Sequence, residues 1–283
     1  MDTASDPVPD RVPVESGAPL AENARGEPPA AVPPPNFCTR CGAPWDPAWT
    51  ECPVCARAGA ARRASSGSRV FSSSAPLRSA LVLYFALLAT SVVGILLTLA
   101  GEGPSANVIL FIDAVDAAIV LGWVLKDYRR IRDGLVRGAK PLHYLLAVLL
   151  GTGTFLFAML NVKLLGGLVS AEEIRYSDIF LKQGYGWSVV LLTLCVQPPL
   201  IEELAFRGVV LGSLRGVLGP STAVVVSAFL FMTLHLTPLG FPYLFAMGIV
   251  AGWLRGWSGS LYPCMALHFT HNFLVVLLEM GGG

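Results

Sequence analysis

Beyond residue 78 the chain carries seven apolar stretches, near 79–100, 106–125, 141–161, 187–214, 218–235, 239–255 and 259–280, each read as a bilayer crossing. Inside lipid no water satisfies backbone N–H and C=O groups, so such segments fold as helices that close their hydrogen bonds internally. The expected fold class is therefore all-α, a polytopic transmembrane helix bundle of about seven spans. A mean hydropathy of +0.62, with 54% apolar and only 14% charged residues, excludes an ordinary soluble domain. The fourth stretch is broken by Pro198-Pro199, and the fifth and sixth are short.

The chain ahead of these stretches has a different character. Residues 1–36 hold six acids, two bases and nine prolines. That composition buries too little apolar surface to offset its ordering entropy, so a disordered acidic tail is expected. It has no basic start followed by an apolar core, and so is not a cleavable signal peptide. Residues 37–56 contain Cys38, Cys41, Cys52 and Cys55 in the pattern C-x2-C, ten residues, C-x2-C. Paired thiolates at that spacing suit a tetrahedral structural Zn2+ in a small zinc-ribbon-like module. Two disulfides or unliganded thiols are the alternatives. Residues 57–78, with Arg57, Arg62, Arg63, Arg69 and Arg78, form a basic linker to a membrane domain at 79–283.

Short loops rich in Lys and Arg stay cytoplasmic. Lys126, Arg129, Arg130, Arg132, Arg137 and Lys140 lie between the second and third stretches. That loop, and with it the N-terminus two spans earlier, is expected in the cytoplasm. Gly248, Gly252 and Gly256 form a row of small residues that lets helices approach closely within the bundle.

Three polar clusters interrupt the apolar second half: Glu202-Glu203-x-x-x-Arg207, Phe231-x-x-x-His235 and His268-x-x-His271-Asn272. An ionisable group in lipid is expensive, about 2.5–3.5 kcal/mol for a central charge on insertion scales. Glu203 and Arg207 are i, i+4 neighbours on a helix and can pair. Glu202 is rotated by about 100° and stays free. Pro198-Pro199 kinks the helix and frees carbonyls, which suggests a partly hydrated cavity. Phe231 lies one turn before His235 and can pack over the site. His268 and Asn272 point the same way. A helix-end salt bridge, an interfacial histidine and an interhelical clamp are the plainer readings. Three clusters on three helices weigh against a clamp alone.

A free carboxylate beside an imidazole can activate water, and a histidine with an asparagine amide can stabilise an oxyanion. The same Glu and His residues could instead hold a divalent metal that acidifies water. The spacing leaves both open, although His-Glu-x-x-His is absent.

In this order the three motifs resemble the CPBP family of intramembrane proteases, which includes CAAX prenyl endopeptidases and bacteriocin-processing relatives in bacteria. Residues 199–208, PLIEELAFRG, look very like that family's first motif. The resemblance covers about 185–280. It implies an intramembrane endopeptidase with Glu202 as general base and His235 orienting the water. It implies His268 and Asn272 as oxyanion stabilisers, with Glu203, Arg207 and Phe231 supporting. The family is described both as metalloproteases and as metal-independent glutamate proteases; Asn272, which suits hydrogen bonding better than metal binding, favours the glutamate reading, with a divalent metal as the alternative. A membrane-associated substrate and a bacterial cell membrane are also expected. His271 has no matching role. The competing class is a non-enzymatic membrane scaffold or immunity factor whose zinc module recruits a cytoplasmic partner. No nucleic acid is expected.

Overall fold

The computed structural model describes residues 52–101, 103–169 and 175–281. The chain divides into two units, Met1–Ala61 and Arg62–Gly283. Most of the first lies outside the described residues, including the acidic tail and Cys38 and Cys41. Of its cysteines, Cys52 is buried and Cys55 half-buried, and the Cys52 carbonyl accepts a bond from Ala56 N at 2.8 Å.

Among the described residues the second unit is helical throughout, with no strand. The described helices of the chain are α1 (Pro53–Ala100), which begins in the first unit, α2 (Ala106–Lys126), α3 (Tyr128–Val136), α4 (Pro141–Val169), α5 (Tyr176–Lys182), α6 (Trp187–Leu214), α7 (Pro220–Leu234), α8 (Phe241–Ser258) and α9 (Tyr262–Gly281). The stretch expected as a linker, 57–78, falls within α1.

All seven expected spans are helical, but they are not equivalent. Five pieces are long and apolar enough to cross a membrane: Pro76–Ala100, Ala106–Lys126, Pro141–Leu165, Trp187–Leu214 and Tyr262–Gly281. At 1.5 Å per residue, the 15 residues of α7 reach about 22 Å, short of a hydrocarbon core of about 30 Å. Helix α8 has 18 residues, and Arg255 with several glycines and tryptophans dilutes its apolarity. Leu99 and Leu125 are about three-quarters exposed, the outward face expected of helices in lipid.

The basic loop between the second and third spans is itself a short amphipathic helix, α3. Ile131 and Gly134 are buried while Arg129 and Arg132 face outward. Gly134 O accepts from Leu261 N at 3.0 Å, which ties α3 to the start of α9. Helix α9 packs most extensively on α4, and α8 on α7.

Small residues set these approaches. A Cβ on Gly151 would lie 2.5 Å from Leu267 O. One on Gly248 would lie 2.8 Å from Ala228 Cα, and one on Gly252 2.9 Å from Val224 Cγ1. The glycine row of α8 therefore seats α7, as its spacing implies. Gly259 ends α8 at φ 69°, a left-handed cap that glycine adopts without strain.

Candidate active site

Helix α6 carries the first motif, and its backbone is irregular where the motif sits. A π-helical stretch at Leu192–Val196 precedes Gln197–Glu203, and a second at Leu204–Val210 follows. The cause of the first is in the sequence. Pro198 and Pro199 have no N–H to return to the turn before them, so a carbonyl there loses its partner and the turn widens. Leu194 O is that carbonyl, and Asn272 Nδ2 donates to it at 2.9 Å. The expected kink is thus realised as a π-bulge, and the freed carbonyl anchors a residue of α9.

Glu203 is fully buried, and its Oε1 is shared. Arg207 Nη1 donates to it at 3.0 Å, and His268 Nδ1 lies 3.0 Å away. An ionised carboxylate only accepts, so the proton sits on Nδ1 and the other ring nitrogen, Nε2, is left for other work. Arg207 Nη2 also reaches Gly248 O at 3.4 Å, and its guanidinium lies 4.5 Å from the centroid of the Phe231 ring. Phe231, fully buried, touches His235 edge-on at 4.8 Å and His268 at 6.1 Å between ring centroids. It is the apolar hub between the two histidines.

Glu202 faces elsewhere, as its rotation on the helix requires. Its Oε2 lies 3.9 Å from His235 Nε2 and, among the described residues, has no hydrogen-bond partner although the atom is buried. His235 Nδ1 is 2.9 Å from Phe231 O, and a carbonyl accepts, so in the neutral ring the proton is on Nδ1 and Nε2, the nitrogen turned toward Glu202, is the acceptor. Leu236, directly after His235, has φ 51°, a strained turn that fixes where the imidazole leaves the helix.

Two cavities meet at His235. One of about 180 Å³ is lined by Glu202, His235, Asp116 and Ser91 among others. The other, about 340 Å³, is lined by His235, His268, His271, Asn272, Phe231 and Tyr243 among others. Glu202 and His235 therefore form one pair, and His268 and Asn272 share a second chamber with His235. The carboxylate bonded to His268 is Glu203. His271 has partners of its own, Thr154 Oγ1 at 3.1 Å and a stacked Tyr243 ring.

The sequence reading missed Asp113 and Asp116. Both lie in α2, close enough to Glu202 to feel its charge, and Asp116 Oδ1 accepts from Thr90 Oγ1 at 2.5 Å. The signal was present: two carboxylates three residues apart in a 21-residue apolar helix. Among the described residues no three His, Cys, Asp or Glu side chains converge closely enough to hold one metal ion.

Residues 184–274 match the family model described as Type II CAAX prenyl endopeptidase Rce1-like. The matched segment is about a third of the chain and contains all seven motif residues from Glu202 to Asn272. The match supports the CAAX-protease family for this segment and, with the five apolar helices, fits an integral membrane protein. No curated protein and no solved structure matches the chain.

Proposed function

We propose that this chain is an intramembrane endopeptidase that hydrolyses a peptide bond of a membrane-associated substrate with Glu202 and His235. The observation that carries the reading is the 3.9 Å separation of Glu202 Oε2 and His235 Nε2, on two residues that line one cavity with Asp116 and Ser91 inside a helix bundle. A water between them gives a hydrogen to each and keeps a lone pair for attack. Its oxygen bonds to the scissile carbonyl carbon while its proton passes to Glu202. The proton then goes to the leaving nitrogen as the C–N bond breaks.

The developing oxyanion needs donors across the shared chamber. Asn272 gives one N–H to Leu194 O and has a second to give. His268, its Nδ1–H held by Glu203, has Nε2 as the ring's remaining nitrogen. Carrying a proton there, it is the second donor. Glu203, Arg207 and Phe231 position His268 and do not themselves react. The glutamate mechanism is preferred over a metal one because Asn272 and Glu203 commit these groups to hydrogen bonds.

The N-terminus lies in the cytoplasm of a bacterial cell in this reading, and the cysteine module holds a structural Zn2+ and recruits a cytoplasmic partner. The test of the central claim is cleavage of peptide substrates by the purified chain and by Glu202→Gln. The variant is expected to fold and to lose turnover by about 10²–10⁴-fold. A folded Glu202→Gln variant with full turnover overturns the mechanism, and absence of any proteolysis favours the scaffold reading.

A further inference from the structure

Three arginines meet at the ends of α3, α6 and α8 without an acid among them. A Cβ on Gly134 would lie 2.5 Å from Arg255 Nη2, and one on Gly256 2.9 Å from Arg215 Nη2. A Cβ on Gly259 would lie 2.6 Å from Arg137 Nη1. Each guanidinium thus lies against a glycine of a neighbouring turn. Arg137 and Arg215 are both close enough for their charge to oppose that of Arg255. Among the described residues, Arg215 Nε and Arg255 Nε are buried and lack any hydrogen-bond partner. The acids nearest Arg137 in sequence, Asp133 and Asp127, face Arg132 and Arg130 instead. Positive charge at this density, half-removed from water and uncompensated, calls for an anion.

The site continues into an apolar groove. A cavity of about 490 Å³ runs between α7 and α8, with Arg215 in its wall and Val224, Val225, Gly252, Trp253 and Trp257 along it. Trp253 and Trp257 are stacked and about half exposed. Tryptophan pairs of this kind sit at the headgroup level of a bilayer. Gly252 keeps the groove floor low, and Gly256 leaves the space that the Arg215 guanidinium occupies. The third glycine of the α8 row therefore seats an arginine, where the first two seat a helix.

The geometry points to a binding site for one anionic phospholipid, its phosphate between Arg215 and Arg255 and an acyl chain in the groove between α7 and α8. Charge complementarity selects an anionic headgroup, and the apolar groove selects a lipid over a free anion. Further along the same glycine row of α8 lies Gly248, whose carbonyl accepts from Arg207. A lipid held here would thus brace the helix that supports the buried ion pair.

The full chain, purified in detergent, is titrated with phosphatidylglycerol, with phosphatidylcholine of the same acyl chains, and with glycerol 3-phosphate, and retained lipid is counted by native mass spectrometry. One phosphatidylglycerol per chain is expected to be retained in preference to phosphatidylcholine. Arg215→Gln and Arg255→Gln are each expected to weaken it about fivefold. Val225→Trp, which fills the groove and leaves the arginines intact, weakens it too, so the proposal is testable even if an arginine variant misfolds. Arg132→Gln changes nothing. Equal retention of the two lipids, or unchanged affinity in the folded variants, overturns the proposal. Displacement by glycerol 3-phosphate at the same concentration as lipid shows an anion site only and overturns it equally.

Discussion

Asn272 donates its side-chain amide to Leu194 O, 2.9 Å away, and Leu194 is the residue whose helical partners are Pro198 and Pro199. In an α-turn that carbonyl would take the N–H of residue 198, and in a π-turn that of residue 199. Neither proline has one. The two prolines of the first motif and the asparagine of the third are therefore halves of one device. The backbone defect in α6 creates an acceptor that fixes the orientation of Asn272 on α9.

Asn272→Ala removes both the donor for Leu194 O and a proposed oxyanion donor. It is expected to destabilise the protein by about 1–3 kcal/mol, the cost of a buried unpaired carbonyl. Turnover is expected to fall by about 10²–10³-fold. Adding Pro198→Ala returns an N–H within reach of Leu194 O. The double variant should regain part of the lost melting temperature and none of the lost turnover. Thermal unfolding and peptide cleavage measured on the same preparations separate the two roles, and a double variant as unstable as Asn272→Ala refutes the link.

The adjacent glutamates should separate just as cleanly. Glu203→Ala strands Arg207 in the core, and breaking a buried pair costs about 3–5 kcal/mol. Loss of soluble, monodisperse protein is the expected result. Glu202, half-buried and paired with nothing closer than His235 at 3.9 Å, gives a stable Gln variant with abolished turnover. If Glu203→Ala unfolds at the wild-type temperature, the buried carboxylate shared by Arg207 and by His268 of α9 is not what holds this part of the fold.

Asp116 lies at the wall of the Glu202 cavity and shares the single hydroxyl proton of Thr90 with Leu87 O, at 2.5 and 2.7 Å respectively. Asp116→Leu therefore leaves Thr90 satisfied and removes a buried carboxylate. Melting temperature should hold or rise, since an apolar replacement avoids the desolvation of a charge. Turnover should fall by about 10–100-fold, because the cavity loses a group that retains water. A drop in stability with unchanged turnover would reverse the assignment.

The helical class and the site motifs were legible because the bilayer permits few alternatives. Glu203 with Arg207, and His268 with Asn272, followed from i, i+4 spacing alone. The pairing of His268 with Glu203 did not, because helix periodicity fixes which way a residue faces on its own helix and says nothing of rotation against another. Asp116 was missed for a related reason: its span reads as apolar, and only the packing of α1 and α2 against α6 brings it to Glu202. Composition reads α7 and α8 as crossings like the other five, whereas their helices differ from those in having 15 residues or an arginine near the end, which hydropathy alone does not weigh.

The cysteine module yields a prediction independent of the protease. Cys52 and Cys55 bracket the first turn of α1, where unpaired N–H groups favour thiolates, and a C-x2-C pair there needs Cys38 and Cys41 to complete a tetrahedral site. Elemental analysis of the purified chain should find about one zinc per protein. Cys38→Ser should lose it while peptide cleavage persists. Zinc retained by a chain lacking both Cys38 and Cys41 would assign the metal elsewhere.

Gly248 joins the site to the packing around it. Its carbonyl accepts from Arg207, and a Cβ there would lie 2.8 Å from both Cα and Cβ of Ala228. Gly248→Ala must push α7 away from α8, an overpacking that costs about 1–3 kcal/mol. Phe231 lies three residues beyond Ala228 on the displaced helix, so the ring that faces Arg207, His235 and His268 moves with it. Turnover should therefore fall by more than the loss of folded protein explains. Ala228→Gly in the same chain removes one of the two clashes and leaves the backbone contact. Partial recovery of both melting temperature and turnover is expected. Full recovery would place the entire clash on the methyl group, and no recovery would mean that the carbonyl of Gly248, not its closeness to α7, is what the site requires.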